Sequence, residues 1–267
     1  MAPRDDDRPA GRGPVAVVRA AVGPPARDAR RRVQWSRAAY RVEPAPPEAC
    51  PHEVARHATP LIRRLAGVDL ELQHGKVANL RLAAAALDGL ALPPGRTLSF
   101  WRQVGRPTAA RGFRDGLVLR SGGLAAGVGG GLCEVTNLLY WLTLHTPLVV
   151  VERHRHSYDV FPDDARTQPF GSGATCAWPS ADLQVTNPTA ATYRLALAVT
   201  GDELVGSWWA DRPADRRFEV YETGHAFVDE APGVRVRCNV LRRRAVDPEG
   251  RVVLDEVVAE NRARVMY

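Results

Sequence analysis

The segment GVGGGLCEVTNLLYWLTLH, residues 127–145, constrains this chain more than any other stretch. Three consecutive glycines, Gly129, Gly130 and Gly131, allow a tight backbone path and the close approach of a ligand. The apolar run from Leu132 to Leu144 fits a helix that starts near Cys133. At ~100° per residue, Val135, Leu138, Leu139 and Leu142 form one apolar stripe, and Cys133, Asn137, Tyr140 and Leu144 lie on roughly the opposite side, so the helix is expected to be buried on both faces. In the first turn, the positive end of the helix favours thiolate over thiol, and amides from Gly131 to Cys133 can face a developing oxyanion. An unpaired cysteine beside an apolar run is also an ordinary core residue, with the glycines serving only a turn.

The next segment favours chemistry. Pro147 ends the helix, LVVV supplies a strand expected to be buried, and ERHRHS places His154 and His156 on one side of it. A histidine there can take the thiol proton, and the thiolate can attack a carbonyl. The imidazolium can then protonate the leaving amine. A third polar residue usually orients such a histidine. Asp182, at the start of a strand, is the first choice, with Asp159 and Asp163 nearer in sequence. Arg153 and Arg155 alternate with the histidines, and Arg153 could hold a substrate carboxylate. Asn137 and His154 complete the expected substrate-binding or oxyanion set. His154 and His156, with Cys133 or Asp182, are the residues that could reach one zinc ion. The favoured expectation is nevertheless a site with no metal and no cofactor. Tyr140, Trp101 and Trp178 could line a groove, although aromatic residues beside apolar runs more often fill a core.

Charge distribution bears on partners. The net charge is +6, but residues 1–45 hold ten Arg against five Asp or Glu, so the remainder is near neutral. Lys76 is the sole lysine among 36 basic residues, a uniform arginine usage that does not select a phosphate-binding surface, and no nucleic-acid partner is expected. The N-terminal apolar stretch is broken by Arg19 and preceded by three aspartates, unlike a secretory signal. No run approaches the ~18 apolar residues of a membrane span. The expected location is cytoplasmic, with association with the cell envelope left open. The cysteines Cys50, Cys133, Cys176 and Cys238 are widely spaced, with no C-x-x-C pair. Cys50, Cys176 and Cys238 lack the glycine-and-helix setting and read as structural.

The organisation is read as a basic Pro/Gly/Arg-rich tail over 1–45, partly disordered, a core domain over 46–210, and a β-rich extension of the same unit over 211–267. ARRRVQWSRAAYR and PEACPHEVARHATPLIRRL read as amphipathic helix, and VDLELQHGKVANLRLAAAALDGL as a short strand, a turn at Gly75 and a helix of about three turns. Residues 174–210 read as hairpin strands, with further strands at 217–222, 234–241 and 251–258. The expected fold is α+β: a cysteine-bearing helix packed on a mixed or antiparallel sheet, with a mainly β C-terminal region.

GGGLCEVTNLLYWLTLHTPLVVVERHRHS, with LSFW upstream and PFGSGATC and ADLQVTN downstream, resembles the VanW family of vancomycin-resistance-associated proteins. The likeness extends to HGKVANLRLAAAALDGL and to NRARVMY, covering most of residues 50–267 and strongest from 75 to 210. Some proteins with this domain are linked to L,D-transpeptidation of peptidoglycan. The resemblance therefore implies a cysteine acyl-enzyme, with Cys133 as nucleophile and His156, which precedes Ser157, as base. A peptidoglycan peptide or precursor is the implied partner. The contrasting reading is a non-catalytic module that binds cell-wall precursors or a glycopeptide.

Overall fold

The computed structural model describes residues 26–62, 70–120, 123–155, 158–159 and 168–267. Helix α1 spans 26–35. It is followed by β1 (His52–Pro60), α2 (Leu70–Leu87), β2 (Ala91–Leu92), β3 (Thr97–Ser99), α3 (Phe100–Val104), β4 (Asp115–Arg120), β5 (Gly123–Val128) and α4 (Cys133–Leu144). Then come β6 (Val149–Glu152), β7 (Tyr158–Asp159), β8 (Gln184–Thr186), β9 (Tyr193–Thr200), β10 (Glu203–Ala210), β11 (Arg217–Ala231), β12 (Val234–Val246) and β13 (Val252–Val265). The strands form sheets of order β1-β10-β9-β2, β3-β8-β6, β4-β5 and β11-β12-β13-β7. Pairing is antiparallel except between β13 and β7. The fold is α+β with a mainly β C-terminal region, as the patterning implies.

Helix α4 packs on β1 and β10, and α2 packs on β9 and β4. The α4 stripe is buried as its periodicity requires: Val135, Leu138, Leu139 and Leu142 on one side, Tyr140 and Leu144 on the other. Leu138 and Leu142 rest on Gly206 of β10, where an added Cβ would come within 2.8 Å of Leu142. The missing side chain lets helix and sheet close to packing distance.

Three local expectations give way to tertiary context. The amphipathic pattern around PHEVARHATP forms strand β1, not helix. Pro51 and Pro60 bracket the segment, and its backbone bonds are made to β10 along the edge of a sheet. Gly75 makes no turn and lies inside the 18-residue helix α2. A Cβ there would stand 1.9 Å from the Asp115 carbonyl oxygen, so the glycine admits the backbone of β4 against the helix. The LVVV strand is half solvated rather than buried: Leu148 is enclosed, but Val149 and Val151 of β6 are exposed, because β6 is an edge strand.

The C-terminal meander is tied to the segment that follows β6. Arg237 of β12 pairs at 3.4 Å with Asp159 of β7, with both side chains almost wholly enclosed, and Tyr267 donates its hydroxyl to the same carboxylate at 3.2 Å. Arg155 donates to Asn261 at 2.9 Å, Asn261 to Asn239 at 2.9 Å, and Asn239 to the Phe170 carbonyl at 2.7 Å. Buried polar groups of this kind hold only when each finds a partner, and the chain of bonds provides that. Among the described residues, no helix is long and apolar enough to cross a membrane.

Candidate functional site

The glycine run carries the chain across β4 into α4. Gly131 has φ 90° and lies against Lys76 of α2, whose Cγ would stand 2.1 Å from an added Cβ. Gly130 lies equally close to the backbone of Gly116. Asn79, fully buried in α2, donates to the carbonyls of Arg114 and Gly130 at 2.9 Å each and accepts from the Arg114 amide at 2.8 Å. These amides are not held out for a ligand. Gly129 donates to Arg114, Gly130 to Gly127, and Gly131 to Leu117. The amides of Gly129, Gly130 and Gly131, expected to face an oxyanion, are thus taken by contacts inside the fold, and those of Glu134 and Val135 in the first turn of α4 donate to Gly131 and Leu132.

Cys133 is the first residue of α4, half-buried, with Leu132 as the cap. Its sulfur lies 3.2 Å from the Thr175 hydroxyl and 3.5 Å from the Cys176 amide, which points its N–H at it. The Cys176 sulfur is 3.9 Å away. An amide directed at a sulfur favours its charged form, as does the helix N-terminus. Burial raises the Cys176 thiol well above its ordinary value, and the hydrogen bond with Cys133 adds to this. Next to Cys133, Glu134 pairs at 2.9 Å with Lys76, both largely enclosed.

The polar side of α4 grips the segment 171–176. Thr136 donates to the Ala174 carbonyl at 2.6 Å, and Asn137 accepts from the Ala174 amide at 2.7 Å. Arg153 donates to the carbonyls of Gly171 and Gly173, and its guanidinium lies over the Tyr140 ring, 4.2 Å from the centroid. Asn137 and Arg153 thus spend their polar groups on shaping the loop that brings Thr175 and Cys176 to Cys133.

His154 joins this loop through its backbone, accepting from the Thr175 amide at 2.8 Å. Its Nε2 lies 3.1 Å from Glu152 Oε1. Glu152 also receives both ends of the Arg31 guanidinium and the Asp182 amide. Burial alone would raise the Glu152 carboxyl, but Arg31 outweighs it and holds the group below the usual carboxylate range. Asp182 is fully enclosed. Burial raises its carboxyl, and donors from Ser99 (2.5 Å), the Trp101 amide (3.0 Å) and Gln184 (3.0 Å) work against that shift. It touches no described histidine. Asp159 is taken up by Arg237 and Tyr267. His156 and Asp163 lie outside the described residues. Among the described residues, no three His, Cys, Asp or Glu side chains converge as metal ligands.

Sequence reasoning set Cys176 apart from the site and passed over Thr175, Glu152 and Arg31. The partners of each pair stand 42 to 121 positions apart, and no local pattern reports such a meeting. Arg31 comes from α1, which falls inside the segment read as tail. A cleft of about 570 Å³ runs beside it, lined by Arg27, Arg30, Arg31, Gln34, Glu152 and Pro179 among others. Trp35 of α1 packs on Trp178 at 5.5 Å, and Trp178 on Trp101 at 5.7 Å, so the aromatic residues tie α1 to the loop after Cys176.

The chain is 32% identical over 201 residues to the vancomycin B-type resistance protein VanW of Enterococcus faecalis, covering 75% of this chain and 73% of that one. It is 32% identical over 109 residues to the protein YoaR of Bacillus subtilis, covering 41% of this chain and 34% of that one. No solved structure matches. Residues 75–209, which hold the glycine run, Cys133, Thr175 and Cys176, match the family model described as VanW like protein, and the chain belongs to the VanW family.

Proposed function

We propose that this protein is a cysteine-dependent acyl transferase of the L,D-transpeptidase type that acts on peptidoglycan peptides or their precursors. The carrying observation is the placement of Cys133: first residue of α4, with the Cys176 amide and the Thr175 hydroxyl at its sulfur. A thiolate there attacks a peptide carbonyl. The C–N bond breaks, the amine leaves with a proton from the histidine, and a thioester remains on Cys133. An amine or water then takes the acyl group and releases the thiol. His156 serves as the base by family resemblance, and the positive end of α4 stabilises the oxyanion.

Glu152 and Asp182 support this reading as positioning residues. Asp182 is bound beneath Glu152 through its amide, and Glu152 holds His154 beside the Thr175 bridge. Exposed Arg27 and Arg30, in the cleft next to Glu152, suit the carboxylates of a peptide stem.

The test is iodoacetamide labelling of each cysteine against pH, in the wild type and in His156→Ala, followed by mass spectrometry after incubation with a disaccharide-peptide. The proposal expects selective labelling of Cys133 below the ordinary thiol pKa of about 8.5, slowed by the substitution, and an acyl adduct on Cys133. Slow, unselective labelling and no adduct would overturn it in favour of a binding module for cell-wall precursors.

A further inference from the structure

Cys133 and Cys176 are the two cysteines whose sulfurs meet, at 3.9 Å, on segments that are 43 residues apart in the chain. We propose that they form a redox pair: peroxide oxidises Cys133, and Cys176 resolves it into a reversible Cys133–Cys176 disulfide that blocks the site and protects it from irreversible oxidation.

The two thiols differ in the way such a pair requires. Cys133 is half-buried at a helix N-terminus with the Cys176 amide directed at its sulfur, a setting that favours the thiolate form that reacts with peroxide. Cys176 is held protonated by burial and by its neighbour, which makes it a poor first target. It is nevertheless already in van der Waals contact with the sulfur it would attack. Cys50 is deeply buried beside the Thr192 carbonyl, and Cys238 lies on β12.

The chemistry balances with hydrogen peroxide as the oxidant. The Cys133 thiolate attacks one peroxide oxygen and the O–O bond breaks. This gives a sulfenic acid on Cys133 and hydroxide, which takes up a proton to become water. The Cys176 sulfur then attacks the Cys133 sulfur, the S–O bond breaks, and the hydroxyl leaves as a second water with the Cys176 proton. The sulfurs close from 3.9 Å to the ~2.05 Å of a disulfide. The segment that carries Cys176 is held to α4 through Ala174, which accepts from Thr136 and donates to Asn137, so the partner stays in reach during the life of the sulfenic acid.

The inference goes beyond the acyl-transfer reading and needs only a reactive Cys133. The test treats the reduced full-length chain with equimolar hydrogen peroxide, blocks remaining thiols with iodoacetamide, and maps peptides without reduction. The expected result is a Cys133–Cys176 linked peptide, alkylated Cys50 and Cys238, and full recovery of Cys133 labelling after dithiothreitol. In Cys176→Ala, sulfinic acid on Cys133 should rise several-fold and resist dithiothreitol. Sulfinic acid on wild-type Cys133 with Cys176 still alkylated, or a Cys133 that peroxide leaves untouched, overturns the redox pair. Iodoacetamide labelling of the untreated protein reads nucleophilicity separately. A Cys133 that labels rapidly but never links to Cys176 removes this inference alone, and one that links but labels slowly removes acyl transfer alone.

Discussion

Arg31 and Glu152 meet end to end, with each terminal nitrogen of the guanidinium 2.6 Å from one carboxylate oxygen. This two-point contact pins α1 to the end of β6, next to His154. It raises the Arg31 guanidinium pKa, by the hydrogen bond to Glu152 first, and keeps Glu152 below the usual carboxylate range despite burial. A carboxyl depressed in the folded state contributes stability that is present above its unfolded pKa of about 4.3 and is lost as pH falls through the lower folded value. Glu152→Gln should therefore cost about 1 kcal/mol at neutral pH after solvent screening and flatten the acid limb of the stability curve. Urea denaturation at pH 7 and below pH 4 checks this, and an unchanged acid limb would count against the pair.

Arg237→Ala should be far more damaging. It removes the Arg237 guanidinium from the enclosed Asp159 carboxylate, and a broken buried pair typically costs about 3–5 kcal/mol. The expected readout is a large drop in the urea midpoint, with Arg237→Met less harmful because it refills the space.

Gly131→Ala tests the crossing beneath α4. The residue sits at φ 90°, and the new Cβ would overlap the Lys76 stem, so a loss of about 2–3 kcal/mol is expected from strain and overpacking together. Thermal unfolding measures it. Gly233→Ala, which has a positive φ but nothing near its Cβ, separates strain from overlap.

Thr175→Val removes the hydroxyl 3.2 Å from the Cys133 sulfur while keeping the shape. Losing a bond to the thiolate raises its pKa, so the pH profile of alkylation should move up by about one unit, with labelling several-fold slower at pH 7. An unmoved profile would mean that the hydroxyl does not stabilise the charged sulfur.

What the sequence disclosed was local. The glycine run, the start of α4 at Cys133, its two buried faces and the β9–β10 hairpin all follow from period and punctuation within about twenty residues. Where the structure departs from expectation, the cause is a partner far along the chain. His52–Pro60 became a strand because β10 offered a ladder, and Gly75 stayed helical because β4 needed its space. Cys176 looked structural because nothing near it in sequence marked it, yet the fold delivers it to Cys133. Glycine-rich motifs announce close approach without saying to what, and here the visitor is backbone and the Lys76 stem.

The bond between Arg155 and Asn261 closes a stretch of 106 positions, and the parallel pairing of β7 with β13 lies beside it. Joining the ends of a flexible loop that long costs about 4 kcal/mol in chain entropy. During synthesis, α4 leaves the ribosome well before β13 exists, so the strand that pairs with Tyr158 and Asp159 arrives later. Helix α4 can therefore form early, while the pairing beyond Arg155 is completed only when β13 docks. Translation order thus puts a delay between the helix that bears Cys133 and the strand that closes this stretch.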